Sequence, residues 1–94
     1  MQRNISWENP TTYDNGEQIG EEASTLKVHV WKDGAEVYTT LPGVTSWPIE
    51  VNRGETNVWE LVAEINEKFS QKSAPLSYTE PFPVPMPPVN SLIS

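Results

Sequence analysis

The chain contains no cysteine, so no disulfide can staple it and nothing points to an oxidising compartment. It has one histidine, His29, and with no second His or Cys a transition-metal site is not expected. Positive charge is also scarce, with six Lys and Arg against thirteen Asp and Glu, a net −7. Nucleic acid is therefore not an expected partner, since it demands clustered cations to displace its counterions. No apolar run is long enough to span a bilayer, and MQRNISWENP lacks the apolar centre of a signal peptide. No membrane partner is expected, and the default location is cytoplasmic.

What the chain does have is a set of short alternating runs separated by nine Pro and five Gly. That pattern suits an all-β sandwich. With 94 residues there is room for one domain and a modest core. Four Trp among only 36% apolar residues imply that a few large rings fill much of that core.

The most regular run is NVWELVAEI, Asn57 to Ile65. Trp59, Leu61, Ala63 and Ile65 share one face at a period of two, with Glu60, Val62 and Glu64 on the other. A helix would scatter Trp59, Leu61 and Ile65 over diverging faces, and Arg53-Gly54 offers it no good cap, so a strand is expected. A first strand is expected at Arg3 to Trp7, with Ile5 and Trp7 inward, ending at Asn9-Pro10. Residues 8 to 22 read as a long polar connection. Thr25 to Lys32 alternates Leu26, Val28 and Val30 against Lys27, His29 and Trp31. Asp33-Gly34 is a hairpin signal that returns the chain into Ala35 to Thr40. After a turn at Pro42-Gly43, Val44 to Val51 reads as a strand that Pro48 confines to an edge or bulge. Glu67 to Lys72 reads as a hairpin loop before a last strand at Leu76 to Thr79.

From Pro81 the composition changes. PFPVPMPPVNSLIS carries no charged side chain, and its prolines forbid a helix. Extended, it would line up Phe82, Val84 and Met86 on one side and prolines on the other. Disordered segments are usually poor in apolar residues. Phe82, Val84, Met86, Val89, Leu92 and Ile93 are thus expected to contact either the chain's own sandwich (residues 1–80) or a neighbouring subunit.

Candidate chemistry is thin. Asp14, Asn15 and Glu17 near Gly16 lack the ligand spacing of a calcium loop and read as solvated. Glu60 and Glu64 could be paired carboxylates, but an exposed sheet face accounts for them. His29 reads as a surface residue. No nucleophile elbow or triad order appears, so no catalytic residue and no cofactor are expected and the chain reads as non-enzymatic. PMPP, Pro85 to Pro88, has no flanking cation to orient a partner and reads as a rigid spacer. Trp31 and Trp47 would mark a binding face if both are exposed.

The order and spacing of ISWENPTTYDNGEQI, TLKVHVWKDG, VTSWPIEV and the run through Ile65-Asn66 to KSAP resemble a fibronectin type III domain of the bacterial or bacteriophage kind, over roughly residues 4 to 79. The resemblance implies an immunoglobulin-like sandwich of strands B, C, C′, E, F and G, with the first family strand, A, lacking a counterpart. Trp59 stands nearest the family's tyrosine corner. Strand B would be an unprotected edge with only E beside it. PPVNSLIS resembles the linker that enters strand A. If Asn90 to Ser94 formed such a strand parallel to G, residues 80 to 89 would span about 31 Å in polyproline form, enough to dock in the same chain or a neighbour. The resemblance implies a structural, protein-binding role, such as a capsid decoration or tail accessory protein in a virion, partnered by a capsid or tail protein or by copies of itself. The alternative is a carbohydrate-binding module that stacks sugars on Trp31, Trp47 or Tyr38.

Overall fold

A computed structural model describes residues 1–88, 92 and 93. The chain is all β apart from a short 3-10 helix. Its strands are β1 (Gln2–Ser6), β2 (Lys27–Lys32), β3 (Ala35–Thr39), β4 (Ser46–Glu50), β5 (Thr56–Ile65), β6 (Lys68–Phe69) and β7 (Leu76–Thr79). β1 and β4 make a two-stranded antiparallel sheet. The second sheet runs β3-β2-β5, with β6 and β7 sharing the far side of β5. The chain is thus an all-β sandwich of two antiparallel sheets.

The alternating runs form strands, but β5 departs from strict alternation, because Val62, expected on the water side with Glu60 and Glu64, is buried. In β5, Trp59 and Ile65 are buried and Leu61 and Ala63 pack against the core beside them. β2 contributes Val28 and Val30, preceded by Leu26, while β1 contributes Ile5 and β4 Ile49, with Val51 following. Trp7 and Leu61 touch both halves of the core, joining a Trp59-centred cluster to one around Ile19 and Leu26. At the β2–β3 hairpin Asp33 and Gly34 both take positive φ, 51° and 85°, which matches the twist of the flanking strands. The Asp33 carboxylate accepts from the Val58 N–H at 2.8 Å and from the Asn57 side chain at 2.9 Å, so the turn is tied to β5. Both bonds favour the charged form and hold its pKa below the usual carboxylate value.

Pro48 sits opposite Asn4 in β4, whose other edge is unpaired among the described residues, as a strand proline requires. Two expectations need correction. The hairpin after β5 turns at Asn66 and Glu67, both at positive φ, so Lys68 and Phe69 already pair back onto β5 instead of lying in a loop. The long connection is also not merely polar. Residues 11–19 fold on themselves through the Thr12–Gln18 bridge, and Gly20–Thr25 form the 3-10 helix. Together they bury Ile19.

The arm leaves the sandwich after β7. The radius of gyration is 19.3 Å and the longest dimension 72 Å, against about 12 Å of radius expected for a compact chain of this size. Val84, Met86, Leu92 and Ile93 are 82% to 99% exposed and touch no part of the sandwich that would cover them. The expected strand at Asn90 to Ser94, and Val89, lie largely outside the described residues.

Candidate binding surface

Two sheets stacked face to face leave two lateral seams, and here they differ. On the β3–β4 side the rings of Tyr38 and Trp47 stack with centroids 3.5 Å apart and planes 14° off parallel. That pair closes the sandwich over Val30 and Ile49. The opposite seam, between β1 and the last strand, carries no such lid. A cleft of about 390 Å³ opens there, floored by Ile5, Ile49 and Trp59 and walled by Arg3, Leu76 and Tyr78. A second cleft of about 650 Å³ lies between the 10–19 loop and the Lys68–Gln71 edge, and Ile19, Leu26 and Ile65 line it.

One polar clamp crosses this open seam. The Glu80 carboxylate, buried just after β7, accepts from Arg3 Nε at 3.0 Å, Arg3 Nη2 at 2.5 Å and the Tyr78 hydroxyl at 2.5 Å. The Arg3 bond, then that of Tyr78, overcomes desolvation and holds the Glu80 pKa at about 2. The same contact raises the Arg3 pKa. Behind the clamp, the Glu80 carbonyl accepts from the Gly54 N–H at 2.6 Å, and Arg53 and Glu80 form a parallel bridge. The Phe82 ring then lies where a Cβ at position 54 would stand, and the φ of 80° there favours glycine. The arm is therefore held at its root by Glu80, and Val84 and Met86 beyond it are exposed and do not line the cleft.

The edges of the cleft are open backbone. The Met1 carbonyl accepts from Val51 N–H and Trp7 N–H donates to the Thr45 carbonyl, both at 2.9 Å. Alternation then turns the odd residues of β1 toward β4, and Gln2, Asn4 and Ser6 toward the uncovered edge. No strand among the described residues pairs with that edge.

The other expected site residues are dispersed. Trp31 and Trp47 are both half-buried and lie on different faces, Trp31 on the outer face of the larger sheet and Trp47 inside the sandwich. Lys72 Nζ lies 4.4 Å from the Trp31 ring centre, and the Trp31 Nε1 is buried without a hydrogen-bond partner. Trp59 makes no corner bond either, since its Nε1 also lacks a partner.

His29 is not the free surface residue expected. Its ring is largely covered, with Nε2 2.6 Å from Glu64 and Nδ1 against Glu36, and Phe69 tilted beside it at 5.5 Å. Burial pulls its pKa down, but the bonds to Glu36 and Glu64 more than offset this and raise it. The Glu36 pKa falls in turn, chiefly through the His29 bond. Glu36 stands opposite Trp31, as the Asp33-Gly34 turn dictates, and so on the face that His29 shares; the slip in register between Val30 and Trp31 instead brings Tyr38 opposite Val30 and Thr39 opposite His29. Glu64 is accordingly engaged with His29, and Glu60 lies 4.0 Å from Lys72, so these two do not work as a carboxylate pair. Each ring nitrogen faces a different carboxylate, and among the described residues no group of three or more His, Asp or Glu forms a metal site.

No family model matches the chain, and neither a curated protein nor a solved structure matches it. Among the described residues no helix is long and apolar enough to cross a membrane.

Proposed function

We propose that the chain is a non-enzymatic structural module that joins a larger assembly through protein contacts, a fibronectin type III-like sandwich in which no strand among the described residues covers the free edge of β1. The observation that carries this reading is the open β1 edge above an apolar cleft, combined with an uncharged arm that holds Val84 and Met86 out in solvent. Exposed strand edges and contiguous exposed apolar groups are liabilities in a free monomer and contact surfaces in an assembly. The order of strands supports the family: β1, β2, β3, β4 and β5 take the places of B, C, C′, E and F, and β6 with β7 the place of G. A virion component, such as a capsid decoration or tail accessory protein, fits a small acidic module of this kind. Sugar stacking draws no support from the aromatic residues, because Trp31 and Trp47 face apart and Tyr38 is stacked on Trp47.

A tagged chain produced in its own source should sediment with a large assembly. The double substitution Val84→Asp, Met86→Asp should release it to the unassembled fraction. A wild-type chain that sediments as a free monomer there would sink the reading.

A further inference from the structure

We propose that the open seam between β1 and β7 is a receptor for the arm of a second copy of this chain, which adds there as one parallel edge strand. The inference rests on the binding-module reading above and names its partner. It begins from the phase of the prolines. Along an extended strand, alternate residues turn their N–H and C=O groups to opposite edges. In residues 81 to 87 every odd position is Pro and every even one, Phe82, Val84 and Met86, keeps its N–H. Such a strand can donate along one edge only, and its other edge offers carbonyl acceptors without a donor.

The receptor has the complementary character. Gln2, Asn4 and Ser6 turn outward three backbone units that pair with no strand among the described residues, at the same spacing of two. Orientation follows from the faces. Residues side by side in neighbouring strands point to the same side of a sheet. In an antiparallel addition the arm's N–H-bearing residues would stand beside Gln2, Asn4 and Ser6, whose side chains are exposed, leaving Phe82, Val84 and Met86 in water. In a parallel addition they stand level with the inward residues Arg3, Ile5 and Trp7. Val84 and Met86 then drop into the cleft over Ile5, Ile49 and Trp59. Only the parallel arrangement satisfies the ladder and buries the apolar face together.

The occupant comes from another copy because the chain's own arm starts badly for this task. Glu80 is bound to Arg3, Arg53 and Gly54 beside the cleft and Phe82 lies against Gly54, while Val84 and Met86 of the same chain stand exposed. Arm and receptor lie on different parts of the surface, so the contact is head-to-tail and each copy both gives and receives.

The test uses full-length protein and light scattering during size exclusion. Wild type should show a mass that rises with concentration. Asn4→Pro blocks the receptor, since the Asn4 N–H faces away from β4 and Pro48 already stands opposite it. Ser6→Pro blocks it by the same logic and serves if Asn4→Pro loses its folded near-UV signal. Val84→Asp with Met86→Asp blocks the arm at positions that are solvent-exposed in the monomer. Each blocked protein alone should run as a monomer, and an equimolar mixture of a receptor-blocked and the arm-blocked protein should give a dimer and nothing larger. A monomeric wild type, or a mixture that stays monomeric, overturns the proposal. If the purified chain is monomeric but sediments with an assembly in its source, self-addition fails while the binding-module reading stands.

Discussion

The two lateral seams of the sandwich solve one problem by opposite means. At the β3–β4 seam, flat rings from the two sheets meet directly, and the core behind them is sealed by dispersion and apolar burial. At the β1–β7 seam a buried carboxylate between Arg3 and Tyr78 spans the gap at one end and leaves apolar floor uncovered beside it. The first arrangement is finished in the monomer. The second is held at the right width yet unfilled, and a polar clamp suits that task because hydrogen bonds fix separation and direction without occupying the volume.

The comparison predicts unequal responses to substitution. Trp47→Ala removes the closing ring and should cost about 3 kcal/mol in urea unfolding, the low end for a Trp because the side chain is only half-buried. A loss below about 1 kcal/mol would show that the stacked seam is not sealing the core. Glu80→Gln should lower the melting midpoint at neutral pH by less than Trp47→Ala does. Its sharper mark is in acid. A carboxylate held at about 2 in the folded chain contributes in full above its ordinary value of 4.5 and loses that contribution as pH falls toward 2. The stability gap between wild type and Glu80→Gln should therefore close over that interval, and a gap independent of pH would remove the clamp from the account.

His29→Gln probes the outer face of the larger sheet, away from both seams. The raised His29 pKa means its contribution is complete below 6.5, the unfolded value, and fades as pH climbs through the higher folded value. The depressed Glu36 pKa carries that contribution downward until pH falls through a value below 4.5. Chemical denaturation across pH 5 to 9 should show the substitution hurting most at the acid end of that range; equal loss throughout would mean that the ring acts by packing alone. The smallest effect belongs to the open cleft. Leu76 is 48% exposed, so Leu76→Ala should change unfolding by about 1 kcal/mol or less in the monomer. A much larger loss would show the cleft to be part of the closed core.

How much of this is legible in the sequence follows from the range of the interactions involved. The strands are, because a period of two and the Asp33-Gly34, Pro42-Gly43 and Pro48 signals act over a few residues. The pairing of β1 with β4 is expected only from the resemblance, and among the described residues β4 is the strand that β1 pairs with. The 3-10 helix is not, since GEEAST has no apolar periodicity and is placed by the burial of Ile19 just before it. Glu80, one charge before a proline run, reads as the start of a linker until folding brings Arg3 to it from 77 residues away. His29 reads as solvated because its cover comes from two neighbouring strands, Glu36 across the hairpin and Glu64 from 35 residues away, which the alternation of one strand does not register.

The proline side of the arm has a consequence for solubility at high copy number. A strand whose outward positions are all imino acids offers a further chain no N–H donors, so sheet growth beyond one addition is disfavoured. Molecules crowded on a common scaffold could then be stitched end to end without fusing sideways into cross-β aggregates.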